Sequence, residues 1–186
     1  MKKKKTMASV GMVLHKIKDT TGLKSWADYL ITLESWKSLG TTADSIVECW
    51  TAPQAKCEFF AASDAKGAKT PGFENEQGLI VFSVESAESL IAQKLKGQTP
   101  PQLEEGGFIH AIETKSRHKS IGKYLLNAAE RVISEKKSRV FLFVSESDAA
   151  NQRFYKSMGY EELAHSNEPS GQANGCEILL VKHLVS

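Results

Sequence analysis

A chain of 186 residues, 41% hydrophobic and 25% charged, has the length of one domain and the composition of a folded protein, which argues against both a disordered chain and two large domains. Its 24 basic and 22 acidic side chains give a formal net charge of +2, too balanced for nucleic acid or a membrane surface to be the main partner. No stretch approaches the ~20 apolar residues that span a bilayer, and the spaced Cys49, Cys57 and Cys176 form no C-x-x-C pair, which fits a reducing, cytoplasmic setting.

The start, Lys2 to Lys5 followed by the apolar run Met7 to Leu14, has the order of a signal peptide. It is read instead as a flexible basic tail over 1–8, with one domain over 9–186. The apolar run is short, contains Ser9 and Gly11, and leads straight into His15-Lys16-Ile17-Lys18-Asp19 without a small-residue cleavage pattern. Val10 to Ile17 alternates as a first strand, and Asp19-Thr20-Thr21-Gly22 turns into helical sequence carrying Trp26, Tyr29, Leu30 and Leu33. A second helix is expected from Ser35 to Leu39 or from Asp44 to Trp50, with Gly40 as a break. Lys56 to Ser63 and Gly78 to Val84 read as strands, separated by a loop rich in Gly and Pro. Ser86 to Lys96 has a helical pattern stopped by Gly97 and Pro100-Pro101, so 86–101 reads as an insertion or flap.

From there the pattern is firmer. Gly107 to Ile112 is a strand, Ile121 to Lys136 a helix, Arg139 to Val144 a strand, and Ala149 to Met158 a helix closed by Gly159. Tyr160 to His165 and Glu177 to Leu184 form a closing hairpin. The order describes a mixed α/β domain with antiparallel hairpins and one parallel crossover.

Two segments carry chemistry. Arg117-His118-Lys119-Ser120-Ile121-Gly122 lies between a strand and a strongly amphipathic helix, where free backbone N–H groups attract anions. Ser120 and Gly122 are small enough for the backbone to approach a diphosphate, and Lys115, Arg117, His118, Lys119 and Lys123 surround it with positive charge. The second segment is Asp148 to Tyr160. Asp148 can cap a helix, Ala150, Phe154 and Met158 share one face, and Gly159 ends it.

Together these segments resemble the GNAT superfamily of N-acetyltransferases. Its first motif is a strand Val followed five residues later by Gln/Arg-x-x-Gly-x-Gly/Ala and then Leu-Leu. Here Ile112, Arg117, Gly122 and Leu125-Leu126 stand in register, with Ser120 in place of the first Gly and Thr114 where many members have Pro. The later motif is matched by Phe154-Tyr155 and Gly159-Tyr160, with Asp148 and Asn151 as departures. The resemblance covers about Gly107 to Leu184.

The resemblance implies a central, mostly antiparallel mixed sheet flanked by helices, with a splayed parallel strand pair that holds acyl-coenzyme A along Phe108 to Glu113. It implies acetyl-coenzyme A as cosubstrate without a metal, direct attack by an amine acceptor in a ternary complex, and Tyr155 as the acid that protonates the departing thiolate. The cofactor set carried over is Ile112, Arg117, His118, Lys119, Ser120, Ile121, Gly122, Lys123, Asn151 and Tyr155. A homodimer is a family-level expectation. An attacking amine must lose a proton. His110 has the titration range for a base and would share the face of Ile112 in a regular strand, with Glu113 on the other face; Glu104-Glu105, Glu85 and Ser145 are further candidates. The alternative is a non-catalytic acyl-coenzyme A-binding module of the same fold. The acceptor is not legible.

Overall fold

The structure is a computed structural model that describes residues 12–37, 40–53, 55–64, 69, 72–85, 88–96, 100, 103, 106–115, 119–166 and 176–184. The expected basic tail, Arg117, His118 and Glu104-Glu105 lie outside the described residues. Seven strands among those described form one sheet in the order β1-β2-β3-β4-β5-β7-β6. They are β1 (Met12–Lys16), β2 (Cys57–Asp64), β3 (Glu76–Ser83), β4 (Gly106–Thr114), β5 (Arg139–Ser145), β6 (Glu161–His165) and β7 (Glu177–His183). All neighbours are antiparallel except β4 and β5, which run parallel. A parallel pair needs a crossover, and α5 (Lys119–Ser134) supplies it.

One face of the sheet carries α5 and α6 (Ala149–Ser157). The apolar stripe of α5 is the one its sequence spacing describes: Ile121, Leu125, Leu126, Ala129 and Ile133 are buried against Ile80, Phe82, Ile109, Leu142 and Leu180. Each fully buried Leu or Ile contributes about 1.5–3 kcal/mol, so this stripe holds the crossover to the sheet. Helix α6 stops at Gly159, which sits at φ +88, where only glycine is unstrained. The Tyr160 N–H bonds the Tyr155 carbonyl and the Gly159 N–H bonds that of Lys156, the paired closing bonds of a Schellman turn.

The opposite face carries α1 (Thr20–Leu30), α2 (Glu34–Lys37), α3 (Ala43–Thr51) and α4 (Glu88–Lys94). Asp19 caps α1 through the Gly22 N–H at 2.8 Å, and Thr42 and Ser45 close a capping box on α3. Trp26, Leu30, Ile46 and Trp50 pack on Phe59, Leu79 and Val81. Within the stretch read as an insertion or flap, α4 and the residue after it bury Ile91 and Leu95 among Leu103, Phe108, Phe141, Leu179 and Val181. No helix among the described residues is long and apolar enough to cross a membrane.

Strand β4 is not regular. Val81 pairs with Ala111 and Phe82 with Ile109, so His110 is an extra residue opposite two adjacent residues of β3, a β-bulge. The bulge changes which face each later side chain takes. Ile109 and Ile112 both pack with the α5 cluster. The His110 ring lies 5.0 Å from that of Phe108, which belongs to the α4 cluster, and Ala111 packs with the α1 cluster. The expectation that His110 shares the face of Ile112 is therefore corrected, because a period-two reading assumes an unbroken ladder.

Candidate active site

Strand β4 pairs with β5 only from Gly106 to Ile109, opposite Arg139 to Leu142, and both strands continue past the last pair. Beyond Ile109 the ladder between β4 and β5 ends and the two strands part. The cleft opened there has a volume of about 880 Å³. Ile112, Glu113 and Thr114 line one side, Asp148, Ala150, Asn151, Arg153, Phe154, Tyr155 and Ser157 the other, and Gly122 the end.

The end of the cleft expected to take an anion rests on α5. Ser120 is exposed in its first turn and Lys123 is exposed one turn later, while Ile121 turns its side chain into the core and can offer only its backbone to the cleft. A Cβ at Gly122 would meet only the Phe154 ring, at 3.7 Å, so the α5 backbone there is open to a bulky group. Lys115 departs from its expected role. Its ammonium bonds the Phe73 carbonyl and lies over the Phe73 ring at 3.3 Å and the Trp26 ring at 5.1 Å. It stands on the α1 side of β4, and burial lowers its pKa. Among the lining residues, Arg153 brings positive charge.

Tyr155 is 7% exposed and held between the rings of Phe154, at 5.2 Å, and Tyr160, at 5.6 Å. The Tyr160 hydroxyl is committed, donating to Glu130 Oε1 at 3.0 Å, with Lys182 on Oε2 at 2.6 Å. The Tyr155 hydroxyl makes no hydrogen bond among the described residues and borders the cleft. Burial, and then the negative charges of Asp148 and Glu113, push its pKa above the usual phenol range. It is therefore a protonated donor at neutral pH. Asp148 caps α6 through the Asn151 N–H at 3.0 Å, and the Asn151 amide returns a bond to its other oxygen at 2.7 Å. The two positions that depart from the family motif thus compensate one another.

His110 is not among the residues lining the cleft. Its Nε2 lies 3.1 Å from Ser83 Oγ, whose own proton goes to the Glu85 carbonyl at 3.0 Å. Ser83 must therefore accept from Nε2–H, which leaves Nδ1 unprotonated. Burial lowers the His110 pKa to about 4, so the ring is neutral but a weak base. The cysteines make no disulfide, and burial pushes the Cys57 thiol up to about 12, far from a thiolate nucleophile.

Sequence reasoning understated Glu113. Its carboxylate accepts from the Thr114 N–H at 3.1 Å, and its charge adds to the burial that raises the pKa of Tyr29. Burial pushes its own pKa up. A period-two reading puts Glu113 and Ile112 on opposite faces, as they are, but cannot show that the strand edge brings both to one cleft.

Residues 44–160 match the acetyltransferase (GNAT) family. The chain belongs to that family. Acetyl transfer from acetyl-coenzyme A is what membership implies. Among solved structures, aminoglycoside 6'-acetyltransferase type Ii superposes with a TM-score of 0.65 at 16% identity, covering 94% of this chain and 98% of that one. The ribosomal-protein-S18-alanine N-acetyltransferase from Escherichia coli gives 0.64 at 10% identity, covering 95% and 96%. The aminoglycoside 6'-N-acetyltransferase from Enterococcus faecium gives 0.62 at 15% identity, covering 94% and 98%. At these identities the likeness is one of fold. No curated protein matches the chain.

Proposed function

We propose that this GNAT protein is an N-acetyltransferase that moves an acetyl group from acetyl-coenzyme A to an amine by direct attack in a ternary complex. The observation that carries the reading is the cleft itself: an unpaired β4 edge, an open helix start at Gly122 and the unengaged Tyr155 hydroxyl border one space. The pyrophosphate would rest on the first turn of α5, at Ser120 to Gly122 with Lys123 beside it, and Arg117, His118 and Lys119 stay in the proposed set from their motif positions. The pantetheine amides would pair with the edge of β4 past the end of the β4–β5 ladder, and Asn151 would flank them from α6.

In the reaction the amine nitrogen attacks the thioester carbonyl carbon, the tetrahedral adduct collapses with cleavage of the C–S bond, and the thiolate takes the Tyr155 proton. The phenolate recovers a proton from the nitrogen as the amide forms. A buried phenol with a raised pKa suits this role, because it stays protonated until sulfur becomes charged. A non-catalytic coenzyme A-binding module would have no use for an unpaired hydroxyl at that point. The related structures carry the names of enzymes for an aminoglycoside and for a ribosomal protein's alanine, so the fold favours neither acceptor.

The test is thiol release from acetyl-coenzyme A across amino acids, polyamines, aminoglycosides and peptide N-termini, beside calorimetric titration with acetyl-coenzyme A. Binding with release for some amine is expected; binding without release across the panel would favour the module.

A further inference from the structure

We infer that Glu130, held between the Tyr160 hydroxyl and the Lys182 ammonium, is a positioning residue that sets the place of the Tyr155 phenol in the cleft. The inference rests on the reading of Tyr155 as the acid and deepens it. Nothing among the described residues holds the tip of that phenol: the Tyr155 hydroxyl makes no hydrogen bond there, so its ring and its backbone must place it. Two rings flank it, the half-buried Phe154 at 5.2 Å and the buried Tyr160 at 5.6 Å. Tyr160 is also the residue whose N–H bonds the Tyr155 carbonyl, at 3.1 Å. It therefore holds Tyr155 by backbone and by ring at once.

Glu130 fixes the far end of the Tyr160 ring. The Tyr160 hydroxyl donates to Oε1 at 3.0 Å, and the Lys182 ammonium donates to Oε2 at 2.6 Å while lying 5.6 Å from the centre of the Tyr160 ring. Three elements meet in these bonds: Glu130 comes from α5, Tyr160 from the turn that closes α6, and Lys182 from β7, which pairs with β5. The first turn of α5 borders the cleft at Gly122, so the same helix that would carry the pyrophosphate also carries the anchor of the acid.

Packing alone does not call for a carboxylate at this position. Glu130 stands one turn from Leu126 and from Ile133 on the apolar stripe of α5 and is 7% exposed. Replacing a buried ion pair by apolar side chains of like volume is often neutral or stabilising, so the pair is not there for stability alone. What its hydrogen bonds add is a fixed distance and direction. Displacing a reacting group by about 1 Å can cost roughly 100-fold in rate, which is what a fixed direction protects. Tyr160 is not itself the acid, because its proton is committed to Glu130 and it does not line the cleft. Burial, and then the Glu130 charge, raises the Tyr160 pKa, so it keeps that proton in the neutral range.

The experiment takes Glu130→Ala, Glu130→Gln and Tyr160→Phe, each alone and combined with Tyr155→Phe. Acetyl-coenzyme A affinity is read by calorimetry. Thiol release is measured with lysine, spermidine, kanamycin and a peptide beginning with alanine, and the fastest of the four serves for kcat. Wild-type acetyl-coenzyme A affinity is expected throughout, which shows that the variants fold and keep the donor site. In Glu130→Ala and Tyr160→Phe, kcat should fall by about tenfold, less than the roughly 100-fold expected on removing the phenol itself. Glu130→Gln keeps an acceptor for the Tyr160 hydroxyl and should recover most of that loss. In the Tyr155→Phe background the same substitutions should change kcat by less than about twofold, because no acid remains to be placed. Equal losses in the two backgrounds would overturn the inference, as would wild-type kcat in both Glu130→Ala and Tyr160→Phe, or lost acetyl-coenzyme A affinity with kcat kept. Should Glu130→Ala not fold, Tyr160→Phe, which removes one oxygen, decides alone. Wild-type kcat in Tyr155→Phe removes the acid reading and this inference with it; acetyl-coenzyme A binding without release from any of the four amines removes the enzyme reading itself.

Discussion

The two faces of the sheet do different work and are encoded differently. On the α5 and α6 face the proposed donor site is built from backbone: a helix start, a strand edge where the β4–β5 ladder ends and a helix stop at Gly159, all set by local chain geometry. On the α1 face the packing is carried by side chains from distant segments, with Trp26 on α1, Trp50 on α3 and Val81 on β3 meeting only in the fold. Backbone devices need particular residues at fixed spacing, so they persist as motifs. A side-chain pocket can be assembled from many positions, so it leaves no local pattern.

That contrast can be broken most sharply at Gly122. Gly122→Glu places a carboxylate where the pyrophosphate would lie and should weaken acetyl-coenzyme A binding by more than about 100-fold, since both crowding and like charge oppose it. Gly122→Ala should bind nearly as the wild type, because a Cβ there meets only Phe154 at an ordinary contact distance of 3.7 Å. Both can be read by calorimetry, and equal affinities for the Glu variant and the wild type would remove the site from this face. Next in size is Tyr155→Phe. It should lower kcat by about 100-fold with the acetyl-coenzyme A affinity unchanged, as loss of a general acid does. Because the pKa of Tyr155 is raised, its ionisation should not reduce wild-type activity below the ordinary phenol range, and an alkaline limb beneath that range would contradict the role.

Smaller effects sharpen the other half. Glu76 is 4% exposed and holds His15 Nε2 at 2.8 Å together with the Trp26 indole, tying β1 and α1 to β3. Glu76→Ala leaves the buried Trp26 indole and the half-buried His15 ring without their acceptor and should cost about 2 kcal/mol in denaturant unfolding, with acetyl-coenzyme A affinity unaltered. The smallest effect expected is on stability at Glu113. A carboxyl whose folded pKa is raised binds more protons when folded than when unfolded, so its contribution to stability is fully present below its unfolded pKa and falls as pH rises through the folded value. Glu113→Gln should therefore flatten the decline in stability just above the ordinary carboxylate range, measurable as melting temperature against pH. An unchanged slope would mean that the carboxylate is not desolvated.

Much of the fold was legible because its elements obey local rules. The stripe Ile121, Leu125, Leu126, Ala129, Ile133 is the buried face of α5, and Gly159 closes α6. Helix α5 starts at Lys119 rather than Ile121, and its buried stripe is the one expected. What was not legible depends on pairing. The bulge at His110 is a mismatch between β3 and β4, and no feature of β4 alone announces it. It sends His110 to the face of Phe108, away from Ile112. Lys115 was counted among charges around the anion because it stands next to the turn, yet it packs on Phe73, a contact that forms between segments 42 residues apart. Of the residues that the motifs name, Ile112, Gly122, Asn151 and Tyr155 line one cleft, and His110 does not line it.

The most direct test is a titration of isotope-labelled protein with acetyl-coenzyme A, followed by amide and indole NMR shifts. The amides of Ile112 to Thr114 and of Ser120 to Lys123 should shift and saturate together, while the Trp26 indole, bound to Glu76 on the other face, stays in place. Shifts centred on Trp26 and its neighbours, with the β4 edge and the first turn of α5 unmoved, would contradict the placement of the donor in the splay between β4 and β5.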